Sequence, residues 1–173
     1  MSVGHSAEYE VDQRGFDALL AKPWFLREYL RRPRVDSSWD IPYVGGVSLD
    51  NSTVYVDRHA FIWITRNGYL PALIAHEHVE GILMAHGWQY ELAHHIANAA
   101  ENEVYRRVGI DPKSTQQFWN ELIRKAGDET VTRCPPDLNT EPYKSDERHL
   151  AAVKAAQAGR AIALDPRSAR KAR

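Results

Sequence analysis

The stretch HEHVEG carries the residues of this sequence that are best suited to chemistry. His76, Glu77 and Glu80 sit in an otherwise apolar run, YLPALIAHEHVEGILMAHG, and burying several ionisable groups is costly unless something compensates their charge. On a helix, His76 and Glu80 share a face one turn apart, the separation at which two side chains can bind one metal ion. Glu77 lies one step around the helix, whereas His78 lies about 200° from His76 and cannot easily join the same site. The spacing therefore predicts either a metal site with His76 and Glu80 as ligands, or a hydrogen-bonded polar seam between two helices, or exposed charges on an amphipathic helix.

A second run of polar residues follows on the next predicted helix, over residues 90–108. Few residues separate this helix from the first, so the two should form an antiparallel hairpin. Reflecting His76 and Glu80 through a turn near residue 88 reaches residues 95–100. The polar residues in that region form a continuous stripe at spacings of four, three and four, namely His94, Asn98, Glu101 and Tyr105. Two polar stripes that face each other between packed helices predict a buried site.

The elements that must position these residues mix helical and strand patterns. Apolar spacing predicts a helix from Val11 to Arg32, broken or restarted at Pro23. Two short runs, YVGGVSLD and STVYVDRH, meet at Asp50-Asn51 and predict a β-hairpin, and AFIWIT is predicted to be a further strand. Helices are then predicted over residues 70–86, 90–108, 114–127 and 146–164.

Together these elements predict a mainly helical α+β fold. It is a single domain with a small antiparallel sheet preceding a central antiparallel helix pair. The domain is expected to span residues 11–164. A loose N-terminus over residues 1–10 would precede it, and a flexible basic tail over residues 165–173 would follow it.

The motif HEHVE resembles the His-Glu-x-x-His motif of the zincin metallopeptidases, with Glu80 in place of the second histidine. The later NAAENE resembles the glutamate-bearing second helix of the gluzincin branch, and its Glu101 follows Glu80 by 21 residues. The hairpin ahead of the helix also resembles the zincin order, in which an edge strand borders the cleft, and the resemblance covers residues 43–108. It implies a zincin-like fold and hydrolysis of a peptide or amide bond. The ligands would be His76, Glu80 and Glu101, and Glu77 would be the general base.

The glutamate at the second ligand position departs from the family pattern. Zinc accepts carboxylate oxygen as well as imidazole, so Zn²⁺ is the expected ion, and one imidazole with two carboxylates would also suit Fe²⁺ or Mn²⁺. The extra ligand charge makes the ion a poorer Lewis acid, so metal binding could persist where peptidase activity is weak.

Several roles around the ion stay open. The third ligand is Glu101 or one of its rivals, which are Glu103, His94 and His95. Asn98 or His94 would hydrogen-bond to a metal ligand and so orient it, without binding the metal itself. Tyr105 would serve either in transition-state hydrogen bonding or in ordinary packing.

Two other functions compete with hydrolysis. A di-metal carboxylate helical protein would use the Glu-x-x-His spacing of Glu91 and His94, but that architecture needs two such motifs on four long helices. A non-catalytic metal-binding or accessory protein on a decayed zincin scaffold, of the kind associated with phages or mobile elements, is favoured by the departure at Glu80.

Composition sets the broad class of the protein. A chain of 173 residues with 43% hydrophobic and 26% charged content fits one globular domain. The net charge of -1 predicts no nucleic-acid partner, and the longest apolar run, residues 70–85, is too short and too charged to span a membrane. The N-terminus lacks a signal-peptide core, and the single Cys134 fits a reducing compartment, which predicts a cytoplasmic protein. A peptide or protein substrate is the expected partner, and the oligomeric state is left open.

Overall fold

A computed structural model describes residues 4–127, 130–160 and 162–163 of the chain. The described part confirms a mainly helical α+β domain. Its helices are α1 (Gly4–Leu20), α2 (Pro23–Tyr29), α3 (Arg58–Arg66), α4 (Leu70–Ala85), α5 (Tyr90–Arg107), α6 (Pro112–Gly127) and α7 (Glu147–Gln157). Its strands are β1 (Arg34–Asp36), β2 (Gly45–Val47), β3 (Thr53–Val56), β4 (Thr130–Val131) and β5 (Ile162–Ala163), and Glu141–Tyr143 form a 3₁₀ turn. Within these residues, no helix combines the length and the apolar character that crossing a membrane requires.

The hairpin predicted from YVGGVSLD and STVYVDRH is present as β2 and β3. The two strands are antiparallel, with Gly46 opposite Tyr55. β1 adds on the other side of β3 and runs parallel to it, with Val35 opposite Val54, so the strand order is β1-β3-β2. The sheet is therefore mixed: β2 and β3 are its predicted antiparallel part, and the parallel strand β1 was not predicted. The strand RVD is too short for its alternation to be recognised in the sequence.

Helices α4 and α5 form the predicted antiparallel pair at the centre of the fold. Gly87 adopts a left-handed φ of 83°, which ends α4 and lets the chain reverse before α5 begins at Tyr90. Ala93, Ala97 and Ala100 are fully buried in the apolar cluster that also contains α4 side chains. Because these side chains are small, the two helix axes can approach closely, and polar side chains along the same seam are brought into contact.

The segment AFIWIT lies in helix α3, so the prediction of a strand there is wrong. The Asp57 side chain caps this helix by accepting hydrogen bonds from the backbone N–H groups of His59 and Ala60, at 2.9 and 3.0 Å. Ala60 and Ile64 are four residues apart and both buried, whereas Trp63 is exposed, which is the pattern of one helix face. The cap and the one-sided burial outweigh the strand preference of the β-branched residues.

Both ends of the chain differ from the predicted boundaries. Helix α1 begins at Gly4, where the sequence predicts a loose terminus over residues 1–10. Its later residues Phe16 and Leu19 are buried, and a helix anchored in this way can extend backwards, because adding residues to an existing helix costs much less than starting one. At the other end, β5 pairs with β4 and does not continue the helix predicted as far as residue 164. The first three residues and the predicted basic tail lie outside the described residues.

Candidate metal centre

Helix α4 carries four buried ionisable side chains within five residues, which are His76, Glu77, His78 and Glu80. His76, Glu77 and Glu80 are 7%, 9% and 3% exposed. The helix is enclosed by β2 on one side and by α2 and α5 on others, so these side chains have much less contact with bulk water than a surface helix would allow. Their charges must be compensated inside the protein.

His76, Glu80 and His94 bring one potential ligand atom each to a common point. His94 Nδ1 lies 3.2 Å from His76 Nε2 and 2.9 Å from Glu80 Oε2, and His76 Nε2 lies 3.5 Å from the same oxygen. Tetrahedral ligands at zinc bond lengths of about 2.0–2.1 Å lie roughly 3.3 Å apart. The three atoms, called the ligand triangle below, therefore lie close enough together to hold one metal ion, and the same distances also fit hydrogen bonds between them. His76 and Glu80 converge as their spacing predicts.

Glu101 lies on the opposite side of the His76 ring. Its Oε2 is 3.1 Å from His76 Nδ1, the ring nitrogen that does not belong to the ligand triangle. A carboxylate in this position accepts a hydrogen bond from Nδ1–H, which leaves the Nε2 lone pair free to bind a metal. The sequence resemblance implies Glu101 as the third ligand, and His94 is one of its rivals. The geometry brings His94 into the ligand triangle and leaves Glu101 outside it.

Tyr105 lies behind Glu101 and is fully buried. Trp119 Nε1 donates a hydrogen bond to the Tyr105 hydroxyl at 2.9 Å. Burial, and next the charge of Glu101, raise the pKa of Tyr105 far above its usual range, so the phenol stays protonated. Tyr105 is thus separated from the ligand triangle by Glu101. This position matches the packing role rather than contact with a substrate.

The Glu77 carboxylate packs against strand β2. A Cβ atom added at Gly45 would overlap Glu77 Oε1, so the glycine makes room for this side chain. Burial first, and the neighbouring Glu80 carboxylate second, raise the pKa of Glu77 to about 8. A carboxyl group with this pKa holds a proton in neutral solution and can exchange it there, as a general acid or base must.

Within the described residues, the remaining candidates from the sequence make no hydrogen bond or ion pair with the ligand triangle. His95 lies 3.6 Å from Asp12, on an exposed part of α5. Glu103 pairs with Arg106 and Arg107, at 3.0 and 2.9 Å, so it is part of a surface ion-pair cluster. Asn98 borders the same groove as the ligand triangle, but in the described part of the chain its amide makes no hydrogen bond to the triangle.

A groove of about 1080 Å³ opens beside the ligand triangle, and the triangle's three side chains and Glu77 form part of its wall. Tyr90 also lines this groove, and its ring centroid lies 5.5 Å from that of His94. Burial, and then the charges of Glu80 and Glu77, raise the pKa of Tyr90, which keeps its hydroxyl protonated. Tyr90 was missed at the sequence level, although its position four residues before His94 puts it on the same face of α5.

Hydrogen bonds compensate the charge of the buried carboxylates at this site. Burial alone would lower the pKa of His76, but hydrogen bonds to Glu101 and Glu80 raise it well above the ordinary histidine value. Burial would raise the pKa of Glu80, but hydrogen bonds with His76 and His94 lower it overall. The imidazole therefore acts as the cation between two carboxylates, and a divalent metal ion could take over that compensation when His76 loses its proton.

The resemblance to zincin metallopeptidases depends on the motif HEHVE, on the glutamate of the second helix and on the order of the elements. Comparisons with protein-family models, with curated proteins and with solved structures found no match to the chain.

Proposed function

We propose that this protein hydrolyses peptide or amide bonds with one divalent metal ion held by His76, Glu80 and His94. The ligand triangle carries the proposal, because its sides of 2.9 to 3.5 Å match the ligand separations of a tetrahedral zinc site. A catalytic zinc site also needs an open fourth position, and the triangle borders the groove that Glu77 and Tyr90 line.

The proposed third ligand is His94, whereas the resemblance implies Glu101, and this difference changes the chemistry of the ligand set. Two imidazoles and one carboxylate replace the one imidazole and two carboxylates implied by the resemblance. When bound to two neutral imidazoles and one carboxylate, a zinc ion supplies Lewis acidity to a carbonyl oxygen and to water. The same donor set also binds Fe²⁺, so Zn²⁺ is the proposed ion, with Fe²⁺ or Mn²⁺ as alternatives.

Glu77 is placed to move the proton of the attacking water. Its carboxylate lies in the groove wall, one residue from His76 and beside the ligand triangle. A cation nearby favours the ionised form of a carboxyl group, so the raised pKa of Glu77 falls when the site is loaded. The carboxylate can then accept a proton from water and deliver it to the leaving amine.

Tyr90 is placed to donate a hydrogen bond to the substrate. Its hydroxyl lies in the groove close enough to Glu77 and Glu80 for their charges to act on it. A protonated phenol can donate to the carbonyl oxygen on which negative charge develops during attack. Tyr105, considered for this role from the sequence, is already bonded to Trp119 and lies outside the groove lining.

The edge of β2 supports a peptide as the substrate. The Val44 carbonyl accepts a hydrogen bond from Asp57 N–H, and Ser48 N–H donates to the Thr53 carbonyl, so alternate residues of this strand pair with β3. The N–H and C=O groups of Gly45 therefore point away from β3, and Gly45 lines the groove. Farther along this edge the Val47 carbonyl accepts a hydrogen bond from Asn139 N–H, so a substrate peptide would pair with β2 at Gly45 and not along the whole strand.

Elemental analysis of the purified protein tests the metal site. One equivalent of zinc, lost in His94→Ala and kept in His95→Ala, is the expected result. The two histidines are neighbours on α5, but His95 contacts Asp12 and not the ligand triangle, so the second variant is a matched control. A protein that contains no divalent metal, and that binds none in a titration, would end the proposal.

Cleavage of a reduced, unfolded protein tests the reaction. The metal-loaded protein should cut such a substrate, and Glu77→Gln should abolish cleavage while one equivalent of metal is retained. Metal binding without any cleavage by the unchanged protein would favour the non-catalytic metal-binding function over the hydrolase.

A further inference from the structure

Two rows of carboxamide side chains line the groove beyond the ligand triangle. Asn98 and Asn102 lie on α5, and Gln116 and Asn120 lie on α6. The members of each pair are four residues apart, so each pair presents one face of its helix to the groove. Asn98 falls between His94 and Glu101 in sequence, so the row on α5 begins beside the candidate metal centre.

The carboxamides of these rows are available to a ligand. Within the described residues, none of the four side-chain amides makes a hydrogen bond to another protein group, although Asn98 and Asn102 are half-buried. A half-buried amide gains free energy when a ligand completes its hydrogen bonds, and each carboxamide offers both a donor and an acceptor. The carboxamides themselves carry no charge, so the ligand groups that they bind are neutral donors and acceptors, while charged side chains such as Asp12, Arg106 and Lys113 line other parts of the same groove.

The spacing of the rows matches an extended peptide. Four residues of α-helix rise about 6 Å along the axis. In an extended chain, alternate residues present N–H and C=O to the same side, and they repeat at about 6.6 Å. Successive carboxamides on one helix can therefore meet successive backbone amides of a bound peptide, one carboxamide for every second residue.

We propose that Asn98, Asn102, Gln116 and Asn120 bind an extended peptide segment through its backbone amides, largely irrespective of its side chains. This inference deepens the proposed function and rests on it, since it gives the hydrolase an unfolded or extended polypeptide as substrate. It also changes the role of Asn98, from a residue that orients a metal ligand to a residue that holds the substrate.

Binding can be measured without cleavage in the Glu77→Gln background. The probe is a blocked, dye-labelled peptide of about eight residues of alternating alanine and serine, long enough to span several carboxamides at the extended rise. Fluorescence anisotropy gives its Kd. Asn98→Leu and Asn102→Leu keep the approximate shape of each side chain and remove its hydrogen bonds, and each should raise the Kd about tenfold. Gln117→Leu is the matched control, because Gln117 is an exposed carboxamide of α6 that does not line the groove, and its Kd should not change.

A second measurement keeps the test independent of variant folding. The same peptide with N-methylated backbone amides has lost its N–H donors. The protein with all four carboxamides intact should bind this peptide at least tenfold more weakly. The inference would be overturned if the two peptides had equal Kd values, or if the Asn variants and the control variant had equal Kd values. It would also be overturned if the peptide did not bind, or if a neutral oligosaccharide bound in preference to it. Metal content and cleavage of unfolded protein are read separately, so failure of the carboxamide rows is distinguishable from failure of the hydrolase proposal.

Discussion

Replacing His94 with alanine should weaken zinc binding far more than replacing Glu101 with glutamine. His94 Nδ1 is one corner of the ligand triangle, whereas Glu101 Oε2 contacts only the outer ring nitrogen of His76, at 3.1 Å. Structural zinc sites bind with about 10–16 kcal/mol over four ligands, or roughly 2.5–4 kcal/mol for each ligand. Loss of His94 should therefore raise the Kd about 100-fold to 1000-fold. A glutamine in place of Glu101 keeps an oxygen that accepts from Nδ1–H, so Glu101→Gln should raise the Kd only about tenfold.

Competition of the protein with a chromophoric chelator for Zn²⁺ measures these constants. All variants are compared at one pH, because protons on the histidines compete with the metal. His95→Ala should leave the Kd unchanged, and circular dichroism verifies that each variant keeps its helices. If Glu101→Gln weakened binding more than His94→Ala did, the inner and outer positions would have been assigned the wrong way round. Glu101 would then be the third ligand, as the family resemblance implies.

Three further predictions concern the residues around the centre. Tyr90→Phe should reduce the cleavage rate about 100-fold or more at unchanged metal content, as loss of a transition-state donor does; equal rates in a peptidase assay would remove Tyr90 from the mechanism. Burial and the Glu80 charge raise the pKa of Glu77 from 4.5 to about 8, so the metal-free folded state holds a proton that the unfolded chain releases. Stability of the metal-free protein should therefore fall as pH rises from about 4.5 to about 8, and urea melts of Glu77→Gln should show a shallower fall. Gly81→Ala should destabilise the protein by about 1–3 kcal/mol in urea, because the new Cβ would overlap Asn51 Oδ1. A stabilising effect, as expected for Gly→Ala in an unobstructed helix, would contradict that packing.

The sequence was sufficient to predict the helix pair and the convergence of His76 with Glu80. Both follow from helical periodicity and from a connection too short for any arrangement but an antiparallel hairpin. The sequence could not decide between His94 and Glu101, because both residues contact the same imidazole from opposite ring nitrogens. That choice depends on the axial register of the two helices and on side-chain rotamers. Packing around Ala93, Ala97 and Ala100 fixes both, and the periodicity of the sequence does not show them.

The error at AFIWIT has a different cause. Six residues are too few to separate a strand from a buried helix face by periodicity, and the β-branched residues favoured the strand. The deciding group was Asp57, just outside the segment, whose side chain caps the first backbone N–H groups of α3. The short strand β1 was missed for a similar reason, since its pairing with β3 is a tertiary contact that its three residues do not encode.

The ligand triangle is closed by a short piece of chain, from His76 to His94 across a single tight connection. Closing so small a loop costs little entropy, and contacts between near neighbours in sequence generally form early in folding. A cation held by these side chains would thus be captured by the nascent α4–α5 hairpin, before the β4–β5 ribbon near the other end of the chain has assembled.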